Sequence, residues 1–78
     1  MSRWTPVVIT WDDAHGGDNG WHPASDLHHK PERVTSVGFL HKSDAKGVTI
    51  VMSRVGRSVG GYLFVPRCNI VSIEELHA

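Results

Sequence analysis

Five short runs rich in β-branched and aromatic residues constrain the fold of this 78-residue chain more than any other feature. The runs span residues 5–11, 33–42, 48–53, 62–66 and 70–76. Apolar residues alternate in them at the length of strands, and no stretch keeps a helical period of about 3.6 residues. The best helical segment, residues 23–34, is interrupted by Pro31, which limits it to about two turns. The sequence therefore predicts an all-β fold.

The connections between these runs predict the architecture. Residues 43–47 and 54–61 are rich in the glycine, serine and aspartate of tight turns. Residues 66–69 predict one helical turn before the last strand, whereas residues 12–32 form a first loop far longer than the usual connection of about two to five residues. A single domain, residues 1–78, with five strands and this spacing of turns is typical of a small closed barrel.

The residue types also predict how the strands pack. Residues 48–53 are predicted to be buried on both faces, because they are almost continuously apolar. Val71 and Ile73 are predicted to face the core, and Gly38 marks a bulge or a close approach between two backbones. The core of so short a chain is small, so self-association is expected as a way of burying more surface.

The composition excludes several classes of protein. Cys68 is the only cysteine, which favours a reducing compartment and excludes a disulfide framework. No secretory leader and no apolar run of about 18 residues is recognisable, so a cytoplasmic protein without membrane contact is expected. The net charge is zero, with two basic and four acidic residues up to position 30 and six basic and four acidic residues after it. Nucleic acid is therefore a less favoured partner than a small ligand.

Two resemblances go further than composition. Residues 62–76, YLFVPRCNIVSIEEL, resemble SH3-like and Sm-like small barrels, in which a strand ending in Val-Pro precedes one helical turn and a short closing strand. The segments VITWDDAH, GW, VTSVGFL, GVTIVMS and FVPRCNIVSIEEL are similar to a family of small uncharacterised proteins from tailed bacteriophages. The first resemblance implies a five-stranded SH3-like/Sm-like barrel with a long first loop. The second implies a viral origin in a bacterial host, with binding rather than any defined chemistry.

The stretch WDDAHGGDNGW, residues 11–21, brings two tryptophans, three aspartates and a histidine into the long loop. In one interpretation the tryptophans cover one end of the barrel, while the aspartates and glycines shape turns. In another the tryptophans stack on a planar ligand, and the polar side chains form hydrogen bonds with its edges. Burial is expected for Trp21 and Leu27, which argues against disorder in the second half of the loop. The candidate ligand-binding residues of this loop are Trp11, Asp12, Asp13, His15 and Trp21.

A metal site and catalysis have less support. The histidines available to a metal are His15, His22, His28 and His29. Together with the aspartates and Cys68 they match no standard zinc spacing and no EF-hand. No phosphate-binding glycine-lysine loop and no nucleophile elbow is present, and Cys68 is expected to be a buried structural residue. No enzymatic activity and no cofactor are therefore expected, with a small metal-dependent enzyme as an alternative.

A second candidate surface is SRVGRSVGG, residues 53–61. Guanidinium groups and exposed backbone N–H groups suit a phosphate, although an ordinary hairpin tip would carry the same residues. The candidates are Arg54, Arg57 and Ser58. If this tip lies beside the aromatic loop, the two form a site for a nucleotide-like ligand. The expected function is then a phage-encoded sponge that sequesters a nucleotide-derived immune signal, with an SH3-like/Sm-like adaptor for a host protein or nucleic acid as the alternative.

Overall fold

The computed structural model describes residues 2–16 and 20–77. It contains five strands: β1, Pro6–Asp13; β2, Glu32–Ser43; β3, Gly47–Val55; β4, Ser58–Pro66; and β5, Ile70–Glu75. Two single 3₁₀ turns accompany them, Ala24–Asp26 in the first loop and Arg67–Asn69 between β4 and β5. The all-β class, the five predicted strands and the helical turn before the last strand are thus confirmed. No helix in the described part of the chain is long and apolar enough to cross a bilayer.

All five strands form one antiparallel sheet in the order β4-β3-β2-β1-β5. Consecutive strands are neighbours except at β5, which returns to pair with β1. Across the described ranges no ladder joins β4 to β5, so the sheet is open and these two strands are its edges. The turn Arg67–Asn69 packs against β1 and β3, which are not neighbours, and it thereby links separate parts of the sheet.

One face of the sheet builds the core. Its most buried cluster comes from β1, β2 and β3 and consists of Val7, Ile9, Leu40, Val48 and Ile50. Four partly buried side chains pack against this cluster, namely Trp11, Leu63, Ile70 and Ile73. The register explains the grouping, because Leu40 lies opposite Ile50 and cross-strand partners project to the same face of a sheet.

Gly38 confirms the predicted close approach between backbones. A β-carbon at this position would lie 2.9 Å from the carbonyl oxygen of Val51 and 3.1 Å from the β-carbon of Ile50. Backbone atoms cannot yield to such a contact easily, so β2 can lie this close to β3 only without a side chain here. The register shifts farther along, between Leu40 and Lys42, where β2 bulges.

β5 packs differently from the prediction. Ile73 contributes to the core as predicted, but Val71 is half-exposed and Ile70 packs against the core instead. The register with β1 shifts between Thr10 and Trp11, so that Ile70 lies opposite Trp11. A shift of one residue exchanges the two faces of a strand, which is why the regular alternation misplaced Val71.

The β3–β4 hairpin is longer, and its turn tighter, than predicted. The ladder reaches Val55 and Ser58 and leaves only the turn Gly56–Arg57, with a φ of 59° at the glycine. Two-residue turns of this kind need a positive φ, which glycine adopts without strain. Residues 48–51 are buried or half-buried, so the predicted burial holds for this part of β3, whereas residues 52–62 are all exposed.

The first loop is exposed throughout its described residues, 14–16 and 20–31. Trp21 is fully exposed and Leu27 is largely exposed, so the predicted burial of these two side chains is wrong. The middle of the WDDAHGGDNGW stretch, residues 17–19, lies outside the described residues. The described residues of the loop therefore add no side chain to the core.

Candidate functional site

Trp11 lies against the core. Its ring packs on the buried cluster, and its Nε1–H donates a hydrogen bond of 3.0 Å to the hydroxyl oxygen of Ser36. Both side chains lie on the core face, because Ser36 is the cross-strand partner of Ile9, two residues before Trp11. This placement agrees with the interpretation of Trp11 as a lid over the core.

Asp12 and Asp13 both have partners within the fold. Asp12 lies opposite Arg33 in the β1–β2 ladder and accepts hydrogen bonds of 2.5 Å from its Nε and 3.5 Å from its Nη2. Asp13 accepts a hydrogen bond of 2.8 Å from the backbone N–H of Ala14, where the strand gives way to the loop. Each carboxylate therefore has a local structural role.

The histidines of the first loop line a surface cavity of about 490 Å³. Its lining consists of His15, Gly16, His22, Asp26, Leu27, His28 and His29. The ring centroids of His15 and His28 lie 5.1 Å apart, and Nδ1 of His15 lies 3.8 Å from Oε2 of Glu32. Within residues 2–16 and 20–77, no group of three or more histidine, cysteine, aspartate or glutamate side chains is arranged to hold a metal ion.

Cys68 lies on the 3₁₀ turn before β5, and its side chain is exposed. Its thiol lies 3.1 Å from Oδ1 of Asn69, to which it donates a weak hydrogen bond. The predicted burial of this cysteine is wrong, because the turn that carries it lies at the surface and not inside a closed corner.

The arginine of β3 contacts the N-terminal turn. Arg57 occupies the two-residue hairpin turn, and Ser58 begins β4; both are exposed. The guanidinium of Arg54 lies 4.7 Å from the ring centroid of Trp4, which precedes β1. The aromatic partner that the structure gives Arg54 is thus Trp4, and not a tryptophan of the first loop.

Trp4 is the centre of a group of four side chains, Arg3, Trp4, His41 and Arg54, which we name the Trp4 cluster. The guanidinium of Arg3 lies 4.9 Å from the indole centroid. The His41 ring lies 5.5 Å from the indole, with 35° between the two planes. Two guanidinium groups and an imidazole therefore surround one indole, an arrangement that cation–π attraction stabilises.

Backbone hydrogen bonds fix Trp4 against β2. Its φ of 69° is rare for a residue other than glycine. The Trp4 N–H donates to the carbonyl oxygen of Leu40, and the Leu40 N–H donates to that of Thr5. Nδ1 of His41 is buried and has no hydrogen-bond partner among the described residues. Unusual backbone conformations and unsatisfied buried polar atoms concentrate at functional sites.

The two arginines of the Trp4 cluster have no acidic partner in the described parts of the chain. No carboxylate there lies within 4.0 Å of Arg3 or Arg54, whereas Arg33 and Lys42 each have one. A cation–π contact occupies the face of a guanidinium, so its N–H edge remains able to donate to an anion. The Trp4 cluster thus combines two uncompensated positive charges with an aromatic surface.

Sequence reasoning identified Arg54 but missed the other members of the Trp4 cluster. Arg3 and Trp4 precede the first predicted strand, and His41 reads as an ordinary residue near a strand end. Their only sequence signal is a tryptophan beside an arginine outside any strand, which is too common to be specific. The contact with Arg54 joins distant parts of the chain and depends on the register and the bulge of β2.

A comparison of the chain with protein-family models, with curated proteins and with solved structures found no match. Its function has to be inferred from its own residues.

Proposed function

We propose that this chain is a non-enzymatic binding protein whose ligand is a nucleotide-like molecule held at the Trp4 cluster. The observation that carries the proposal is the pair of guanidinium groups on one indole, without a carboxylate in the described residues to neutralise them. Arginine is the side chain best suited to phosphate, and an indole is the best aromatic platform for a heterocycle.

The binding event proceeds in two steps at this cluster. A phosphate draws the N–H edge of Arg3 or Arg54 toward itself, because a charge-assisted hydrogen bond is stronger than a solvent-exposed cation–π contact. The face of Trp4 that this guanidinium leaves is then open to a base, which stacks on the indole. Arg57 and Ser58, at the tip of the same hairpin, extend the polar surface for further phosphate oxygens.

The proposed site keeps the hairpin residues that the sequence predicted, namely Arg54, Arg57 and Ser58. It replaces the predicted tryptophans of the first loop with another aromatic residue. Trp4 takes the place of Trp11, whose indole N–H is already bonded to Ser36. Asp12 is paired with Arg33, and repulsion between a carboxylate and a phosphate makes it a poor neighbour for this ligand.

We also propose that the open sheet belongs to the SH3-like/Sm-like small barrels. The support is the strand order, in which β5 returns to β1 after one 3₁₀ turn, together with the packing of that turn on both β1 and β3. The resemblance to tailed-phage proteins supplies the biological setting: a sponge that sequesters a nucleotide-derived immune signal in the cytoplasm of the bacterial host.

Isothermal titration of the full chain against linear and cyclic mono- and dinucleotides, with inorganic phosphate alongside, tests this function. We expect at least one nucleotide to bind, and Arg54→Ala to weaken it by about 10- to 100-fold, the effect of losing a hydrogen bond to a charged group. Arg33→Ala is the matched control, because Arg33 is exposed but lies outside the cluster. A panel without binding, or equal losses in both variants, would refute the proposal and leave the adaptor function as the alternative.

A further inference from the structure

The face of the sheet opposite the core is apolar and uncharged in its middle over three strands, and its charged residues, Arg33 and Lys42, lie toward the two ends of β2. We name this surface the outer face of β2–β4. It consists of Thr35, Val37, Phe39, Thr49, Val51, Ser53, Gly60, Tyr62 and Phe64. We propose that the outer face of β2–β4 packs against the same face of a second copy of this chain.

The register places the apolar side chains of this face in direct contact range. Phe39, Val51 and Tyr62 are successive cross-strand partners on β2, β3 and β4, and Phe64 follows Tyr62 by two residues on the same face. Val51 is buried, but Tyr62 is 75% exposed and Val37 is 56% exposed. The face is thus a continuous apolar surface and not a scatter of single residues.

The middle of this face has the charge pattern that a contact with a second copy requires. In a two-fold contact each patch meets itself, so every charged residue near the axis faces a like charge. None of the nine residues of the outer face is charged. The chain as a whole has a net charge of zero, so two copies do not repel each other at long range.

The whole chain exposes more area than a folded monomer of its mass is expected to expose. The chain exposes 6073 Å², whereas a folded monomer of 8.6 kDa is expected to expose about 4,700 Å². The excess is roughly 1,400 Å², and a stable interface needs about 800 Å² from each partner. This excess is summed over the whole chain, including the exposed first loop, and the outer face of β2–β4 contributes to it through apolar side chains that are 40% to 75% exposed, namely Val37, Phe39, Tyr62 and Phe64.

Light scattering coupled to size-exclusion chromatography tests this inference on the full chain. We expect a mass of two chains, each of 8.6 kDa, at about 100 μM. Val37→Arg and Tyr62→Arg, which place a like charge at the contact, should each give the mass of one chain with unchanged β-sheet circular dichroism. Val71→Arg is the matched control, because this valine is 50% exposed on β5, outside the outer face, and should remain dimeric.

Each other result overturns the inference. A wild-type chain of monomeric mass shows that no second copy covers the face. Dimers that persist in both Val37→Arg and Tyr62→Arg, or that are lost only in Val71→Arg, place the contact elsewhere. None of these outcomes depends on nucleotide binding, because the outer face and the Trp4 cluster share no residue.

Discussion

The two halves of the β3–β4 hairpin share one hydrogen-bonded ladder, but only one of them has buried side chains. In the near half, residues 47–51 and 62–66, the side chains of Val48, Ile50, Val51 and Val65 are buried. In the far half, residues 52–61, every residue is exposed. The ladder runs through both halves, so the difference in burial comes from what lies against each half.

The difference separates a part of the hairpin that builds the fold from a part that is free to bind. The near half contributes Val48 and Ile50 to the core cluster, which they form with side chains of β1 and β2. The far half lengthens the molecule, whose principal extents are 50, 26 and 22 Å, and it carries Arg54 to the N-terminal turn. Binding residues commonly lie on such projecting segments, because they can change without disturbing the core.

The largest expected difference between the two halves comes from replacing one valine in each of them with alanine. Val48→Ala, in the near half, removes two methyl groups from a fully buried site and should lower the free energy of unfolding by about 2 kcal/mol. Val55→Ala, in the far half, should change it by less than about 0.5 kcal/mol, because that side chain is exposed. Urea denaturation measures both, and equal losses would contradict the division into two halves.

Alanine substitutions at two glycines test whether the backbones are packed more tightly in the near half than in the far half. The β-carbon of Gly38→Ala would press on the carbonyl oxygen of Val51 in the near half, so we expect a loss of about 1–3 kcal/mol in unfolding free energy. The β-carbon of Gly60→Ala, in the far half, would meet only the Ser53 β-carbon at 3.9 Å, and the variant should retain wild-type stability. Comparable thermal unfolding midpoints for the two variants would show that β2 and β3 can separate freely.

The smallest effect on stability is expected at Asp44, in the turn that precedes β3. The Asp44 carboxylate accepts hydrogen bonds from the backbone N–H groups of Lys46 and Gly47, at 2.9 Å and 3.3 Å, and the first of these lowers its pKa most. A pKa lowered by folding stabilises the fold above the ordinary value of 3.8, and the stabilisation is lost as the pH falls through the lowered pKa.

Asp44→Ala should therefore lower the melting temperature slightly at pH 7. Below the lowered pKa the two proteins should approach each other, because the wild-type carboxyl is then protonated and has lost this stabilisation. Melting curves of both proteins between pH 7 and pH 2 measure the difference. A gap that widens as the pH falls would show that the carboxylate destabilises the turn.

The strands were predictable from the sequence because alternation and turn residues are local signals. The burial of Val71 was mispredicted because β5 bulges at this residue, opposite Thr10 and Trp11, and the bulge leaves no mark in the residue types. The exposure of Trp21 was mispredicted because hydrophobicity alone does not show whether the sheet offers a surface to cover the side chain.

The candidate site was predictable only in part, for a related reason. A glycine-rich hairpin with Arg54 is visible as a local motif. The partner of that arginine depends on strand register, on the bulge at His41 and on the N-terminal turn at Trp4, which are long-range features. Physical contact between distant segments is the information that a single sequence lacks.

The three tryptophans provide the most direct test of the central claim, that a nucleotide binds at the Trp4 cluster. Their three indole N–H signals can be followed separately by two-dimensional ¹H–¹⁵N NMR, after assignment with single tryptophan-to-phenylalanine variants. We predict that a nucleotide that binds in the calorimetric panel shifts the Trp4 signal, while the signals of Trp11 and Trp21 stay in place. A shift confined to Trp21, or a Trp4 signal unmoved at saturating nucleotide, would contradict this account.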